Sequence, residues 1–559
     1  MTIYTATVID TSGIQPYIFG SNRLRENIGA SYLVNQATGA WVKEALGALS
    51  DALKKEQSAN YDIYIPPERT SEAPPKIHQD PRIVAELIYT GGGNAIAIFH
   101  DRTYAIRFIQ ILSQRVLHEA PGLTLSVAHQ DFDWDETGSL FQAVQQLRHK
   151  LEYNKPPKAP SAPLLGLSVT AACNSTQLVA IGMSDEFGAP ADDTYLISRE
   201  VQHKITAVPD SNDRLWRQLR TVIPKELPYE FPTDFDNLGR SRGESSYIAI
   251  VHADGNSMGN RFEQCGKGKS NMEYVTAIRK LSNSVNHAGV SALRSVTQQL
   301  INSIADHDKN GKIISGKLGQ FPLNQDEKTG RYYLPFRPLV YGGDDVAFVC
   351  DGRLGLELAA LYLEAFAQQT DFEGRPFSAC AGIAIVKTHY PFARAYALSE
   401  ALCGSAKTLI RNETKPTQQS ALDWHIATSG LLGSIGQVRQ REYQSAQQKP
   451  LVMRPLWLSH QDEWRTWEGF KHVTEDFVAG EDWKDRKNKV LALREVLRQG
   501  GDAIEQFLNV YKLDYLPTFP VQNGLEKTLQ KSGWVNEHCG YFDAIEAMDF
   551  YLDIAGRNP

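Results

Sequence analysis

Apolar residues in this chain follow two periods. Short, nearly continuous apolar runs bounded by glycine and acidic residues predict buried strands, and longer stretches with apolar positions three and four apart predict helices. The clearest stretch is Leu339-Val340-Tyr341-Gly342-Gly343-Asp344-Asp345-Val346-Ala347-Phe348-Val349. One apolar run enters it and another leaves, so it predicts two buried strands joined by a tight turn with acid at its tip. Upstream, Tyr247-Ile248-Ala249-Ile250-Val251-His252-Ala253-Asp254 predicts a strand that ends on an acid. The chain then turns through Gly255, Asn256 and Ser257 toward Gly259 and a helix.

The same landmarks occur twice, in the same order. Tyr4 to Gly13 matches the strand that ends on Asp254, with Asp10 as its acid, and Leu87 to Phe99 matches the acidic hairpin. Leu123 to Ala128, followed by a helix over Leu140–Leu151, matches Phe377 to Val386 followed by a helix over Pro391–Ile410. Each copy reads strand, helix, strand-turn-strand, helix, strand, the βαββαβ order of a ferredoxin-like sheet with helices on one face. The fold class expected is α+β, with two such domains. In the first copy, Gly93 and Asn94 stand where the second has Asp344 and Asp345, so the first keeps Asp10 and loses the hairpin pair.

Adjacent aspartates between apolar strands repel each other and are poorly solvated, an arrangement that calls for a cation. Asp254, Asp344 and Asp345, with Gly255 at the turn, form the candidate set for Mg2+ or Mn2+, since magnesium is held by one or two carboxylates together with substrate phosphate. The glycines Gly342 and Gly343 permit positive φ and a close approach of a phosphate to the backbone. Gly255, Asn256, Ser257 and Gly259 are placed to offer N–H groups to it. His252 shares a strand face with Asp254 and is read as packing.

Length and composition narrow the class. At 559 residues the chain exceeds one core and predicts three or four domains. These are expected at 1–153, 154–245, 246–424 and 425–559. No apolar run approaches the length of a membrane span and no signal segment opens the chain, so a cytoplasmic location is expected. The six cysteines have no CxxC pair, which predicts buried thiols. A net charge of -7 argues against a nucleic-acid coat.

Asp10-Thr-Ser-Gly-Ile-Gln-Pro-Tyr-Ile-Phe, Asn22-Arg-Leu-Arg-Glu-Asn-Ile-Gly-Ala-Ser, Ala253-Asp-Gly-Asn-Ser-Met-Gly, the GGDD turn, and His389-Tyr-Pro-Phe-Ala-Arg-Ala-Tyr with Ser405-Ala-Lys together resemble the palm domains of the large subunit of type III CRISPR effector complexes. The resemblance covers about residues 1 to 425. It implies a synthase of cyclic oligonucleotides, usually cyclic oligoadenylate from ATP, with Asp254, Asp344 and Asp345 catalytic. It also implies Lys407 as a phosphate contact, Ser12, Gly13 and Asn94 lining an acceptor-nucleotide pocket, and effector subunits with guide and target RNA as partners. A homo-oligomer is compatible with it. Many relatives begin with an HD nuclease domain; this chain opens on the palm strand, so no DNA cleavage is expected. A single cysteine, Cys173, stands where relatives carry a zinc set, and Asn256 stands where many have a second acid. A catalytically silent scaffold or nucleotide-binding subunit, and a GTP-using enzyme resembling diguanylate cyclases, remain alternatives.

Elsewhere, Lys155-Pro-Pro-Lys-Ala-Pro-Ser-Ala-Pro predicts a stiff linker, and 191–220 a charged helical stretch. A long helix is expected over Glu273–Ile304, then a polar insert over 306–331. His389 is expected to cap the turn before Pro391. After 425 the spacing is helical, with Trp457, Trp464, Trp467 and Trp483 among charged residues, either a docking module or a cap on the second palm.

Overall fold

The computed structural model describes residues 2–57, 61–67, 73–153, 169–223, 226–238, 246–307, 311–412, 419–428, 430, 433–460, 463–520 and 524–554. The proline-rich stretch 155–163 lies outside them. Within them, two sheets repeat one topology. The first orders its strands Asp62–Tyr64, Ile83–Gly91, Asn94–Phe99, Ile3–Ser12, Thr124–Asp133, and the second orders them Phe336–Val340, Val346–Asp351, Tyr247–Gly255, Ala379–Lys387, Ala421–Ala427, Leu456–Trp457. In both, the strand bearing the first acid lies beside the second arm of the hairpin and antiparallel to it. Register confirms the repeat: Ile9 pairs with Ala95 and Asp10 with Asn94, while Ala253 pairs with Val346 just before Asp254 and Asp345. Asn94 therefore occupies the place of Asp345.

The strands are apolar without alternation because both faces are covered. Ala249, Val251 and Ala253 face one core, which includes Val285 and Leu358, and Ile248 and Ile250 face another, which includes Phe392 and Leu402. The expectation of helices on one face is thus corrected. The helix Phe392–Arg411 covers the opposite face because it is the crossover that lets Ala421–Ala427 pair parallel with Ala379–Lys387. The helix Ser139–Tyr153 covers one face of the first sheet, sharing a core with Tyr4, Ala6 and Val8.

The long helix runs Asn271–Asn302, and Ser270 and Glu273 close a capping box at its start. Its Arg279 joins the two repeats. It is 4 % exposed, pairs with the fully buried Glu86 at 2.7 Å, and donates to the Leu87 and Ala73 carbonyls at 2.7 and 2.9 Å. The polar insert that follows includes a sheet of its own, Ile304–His307, Gly311–Gly316 and Gly319–Pro322.

The charged stretch 191–220 splits into Arg199–Thr206 and Val208–Leu219 around Ala207, with Pro209 in the first turn of the second helix. Both pack on the helix Leu24–Thr38, where Gly29 admits the Lys204 carbonyl; a Cβ there would lie 1.7 Å from it. Sheet structure continues past 424 to Ala427 and the strand Leu456–Trp457, and the remainder to 554 is mostly helical. Its five tryptophans are buried, and Trp424 of the sheet meets Phe470 edge-on at 5.0 Å, so this region caps the second sheet. All six cysteines are buried free thiols. Among the described residues no helix is long and apolar enough to cross a membrane.

Candidate functional site

The acidic residues converge at one end of the second sheet. Asp254 ends its strand beside the arm that begins at Val346, so the turn carrying Asp344 and Asp345 folds over it. Close approach requires glycine in two places. A Cβ on Gly255 would meet that of Asp344 at 2.9 Å, and the Gly255 N–H donates to the Asp344 carbonyl at 3.2 Å. From behind, the long helix presents Gly289, where a Cβ would lie 2.3 Å from the Gly343 carbonyl oxygen. Gly342 itself has φ +93°, the left-handed region that favours glycine.

His252, Asp254 and Asp345 each present a ligand atom, all within 4.8 Å of one another. This trio takes in His252, which the sequence reading left to packing, and leaves Asp344 outside. His252 is buried, its Nδ1 lies 3.4 Å from the Tyr396 hydroxyl, and burial lowers its pKa, so it is neutral at pH 7 and able to act as a ligand. Asp345 is exposed at the turn, but the polypeptide crowding it and the Asp254 and Asp344 charges raise its pKa well above the usual carboxylate range. Burial and the Asp254 charge raise Asp344 too. Three mutually repelling carboxylates beside a neutral imidazole form a hard, oxygen-rich donor set that suits a divalent cation.

Lys407, expected to meet phosphate, reaches back instead to form an ion pair with Asp254. Burial disfavours its ammonium but the carboxylate outweighs this, and its pKa is raised. Asn256 braces the turn: its amide nitrogen donates to Ser378 Oγ at 3.2 Å and to the Gln419 carbonyl at 3.1 Å. Ser257, at φ +58°, precedes the helix Met258–Gly266, and nothing lies within 4 Å of where a Cβ on Gly259 would be. His389 does not cap the turn before Pro391. It is 79 % exposed, and Asn22 of the first repeat accepts from the Phe392 N–H at 2.9 Å in its place.

In the first repeat, Ser12 Oγ lies 2.7 Å from Ser126 Oγ, and Gly13, at φ +70°, starts a short helix. Asn94 turns back toward the Gly92 carbonyl. The first hairpin nevertheless faces the acidic turn: burial first, then the Asp344 charge, raises the Tyr89 phenol. From the segment between the repeats, Arg214 stacks on Tyr341 at 4.4 Å and donates to its carbonyl at 3.4 Å. Sequence reasoning missed Tyr89, Arg214 and Gly289. The one signal was a glycine in the middle of a long helix.

With the acidic turn, its strand and the covering helix in place, comparison with known proteins becomes informative. Residues 247–415 match the family model described as Cas10/Cmr2, second palm domain. That stretch belongs to the Cas10/Cmr2 second-palm family. No curated protein matches the chain. Among solved structures, similarity spans the whole chain: the Csm1-Csm4 cassette in complex with cA4 (TM-score 0.51, 15 % identity), the apo Csm1-Csm4 cassette (0.52, 13 %) and Csm1 in T.onnurineus (0.51, 14 %). Each match covers 100 % of this chain and 70 % of the other. At these identities the likeness establishes a shared fold, so the first repeat, the inter-palm segment and the helical cap all have counterparts in it.

Proposed function

We propose that this protein is the palm-bearing subunit of a type III CRISPR-like defence complex and that its second palm is a nucleotidyltransferase making cyclic oligonucleotides, with ATP the leading substrate. The observation that carries this reading is the convergence of Asp254, Asp344 and Asp345 at one sheet end, where burial and their mutual repulsion raise Asp344 and push Asp345 well above the normal carboxylate range. A scaffold has no physical need for carboxylates so arranged. The match to the Cas10/Cmr2 second palm supports it, and solved relatives are described in complex with AMPPNP and with cA4.

Asp254, Asp345 and His252 would hold one divalent cation, Mg2+ or Mn2+, with the Asp344 charge beside them at the turn. Such an ion supplies charge neutralisation for a triphosphate and a lower cost for a developing oxyanion. The chain itself does the positioning. The Gly255 and Asn256 N–H groups are already given to the Asp344 and Ser378 carbonyls, so the backbone that can meet the phosphates is the helix start from Ser257 to Gly259. Lys407, paired with Asp254, is within reach to exchange that carboxylate for a phosphate once a cation takes over the acid. Tyr89 and the neighbouring first-palm turn, with Ser12 and Gly13, form the facing wall where an acceptor nucleotide would lie.

The test is incubation of the purified protein with each nucleoside triphosphate and Mg2+ or Mn2+, with products read by mass spectrometry. An Asp344→Ala, Asp345→Ala double variant runs alongside, with and without candidate effector subunits and target RNA. Cyclic or oligomeric products with pyrophosphate, absent in the variant, are expected. Triphosphate bound equally by both proteins, with no product under any condition, would refute it.

A further inference from the structure

A second cleft lies away from the aspartates, between the far end of the strand Ala421–Ala427 and the helical cap. It has a volume of about 290 Å³, near the lower end for small-ligand pockets. His425 lines it, four residues along from Ala421, the register partner of Cys380 and so of Asp254, about 13 Å farther down the strand.

The helix Lys487–Gln499 contributes Leu491, Arg494 and Arg498 to one wall, three and four residues apart and hence on one face. Both guanidinium groups lie over the Phe542 ring, at 5.7 and 4.9 Å from its centroid. Like charges at this spacing repel in the absence of a counterion.

The acids around the cleft are already engaged. Glu442 pairs with Arg441 at 2.6 Å, Glu546 with the buried Arg454 at 2.9 Å, and Asp549 with Lys487 at 2.7 Å. Arg498 donates to the Glu442 carbonyl at 2.9 Å and lies 4.0 Å from Glu495. Arg494 has no ion pair among the described residues, and its Nε is buried without a hydrogen-bond partner. His425 is only 3 % exposed, and its Nδ1 also lacks a partner. Two unsatisfied buried groups in one cleft, beside two neighbouring guanidinium groups while the lining acids are engaged by other cations, call for a polar, anionic occupant. Leu491, Ile545 and Phe550 supply apolar surface beside these groups.

We propose that this cleft is a second ligand site, taking a small phosphate-bearing anion whose phosphate is held by Arg494 and Arg498, with His425 hydrogen-bonding to it and the apolar wall receiving any organic part. The arginine fork matches phosphate geometry, and its two members come from one rigid helix.

The experiment uses the full chain carrying Asp344→Ala and Asp345→Ala, so that binding at the acidic turn does not contribute, with inorganic phosphate and AMP as separate probes in calorimetry. Saturable binding is expected, weakened at least tenfold by Arg494→Gln with Arg498→Gln. AMP binding more tightly than phosphate assigns the site to a nucleotide-like ligand, and phosphate binding without AMP assigns it to the free anion. Leu491→Glu is the second variant. Leu491 is 40 % exposed, so the change is tolerated by the fold while it sets a carboxylate against the anion, and it too must weaken binding. Absence of binding by both probes, or binding unchanged in both variants at an unaltered thermal midpoint, would overturn the proposal.

Discussion

Gly289 offers the sharpest test of how the acidic turn is held. It sits inside the helix Asn271–Asn302, where exchanging glycine for alanine ordinarily stabilises by about 1 kcal/mol. Here the new Cβ would fall 2.3 Å from the Gly343 carbonyl oxygen, whereas ordinary contact begins at 3.4 Å, so helix or turn must retreat by about 1 Å. The helix is the stiffer of the two, being packed along its length through Val285, Ala288, Ala292 and Leu293. The displacement therefore falls on the turn, and Asp344 and Asp345 move with it. A shift of about 1 Å in a positioned group costs about 100-fold in rate. Gly289→Ala is expected to lower product formation by about that factor, with a weakened Mn2+ isotherm followed by electron paramagnetic resonance, while the thermal midpoint changes little. Gly404→Ala is the control, because nothing lies within 4 Å of where its Cβ would be. A Gly289→Ala protein with the parent's rate and Mn2+ affinity would refute the account.

Arg279→Met leaves Glu86 buried with only the Lys76 and Ile77 N–H groups, and is expected to destabilise by about 3–5 kcal/mol in urea unfolding, with a part recovered when Glu86→Gln is added. Burial, with the Asp553 charge adding, raises the Glu357 carboxyl to about 8. Between pH 4.5 and 8 the folded state therefore holds a proton that the unfolded chain has lost, and stability falls as pH rises through that window. Glu357→Gln, which keeps an acceptor for the Tyr551 hydroxyl, should stabilise by about 3 kcal/mol at pH 7, a gain that vanishes near pH 4.5 in thermal melts run across pH. His252→Phe removes one member of the ligand trio and is expected to weaken Mn2+ binding about tenfold or more without loss of fold; unchanged affinity would return His252 to packing.

What the sequence could disclose depended on how far apart the partners lie. The acidic strand end and the GGDD turn are local patterns, an apolar run interrupted by glycine and carboxylate, and each can be recognised without knowing what it packs against. Their meeting followed from the repeat, since a βαββαβ order puts the first strand beside the hairpin, and the register of Asp10 with Asn94 bears that out. The same logic failed wherever geometry is set by contacts between distant elements. Asn22 takes the capping role expected of His389 from 370 residues away, and nothing near Pro391 signals it. The insert folds as three strands because tertiary packing overrides a polar local sequence: Ile313, Ile314 and Phe321 are buried, while its other positions give no alternation to read. Arg494 and Arg498 look like a solvated helix face in the sequence. Only the placement of Phe542 beneath them and of His425 beside them turns that face into a cleft wall. The acidic turn is braced from within its own palm, by Gly289 behind it, whereas this cleft is built where the cap helix comes over the sheet. A change in how the cap sits on the second palm would therefore reach the arginine cleft first, and through the strand Ala421–Ala427 the residue next to its start, Ser420, whose hydroxyl accepts from the Ala379 N–H one register step from Asp254.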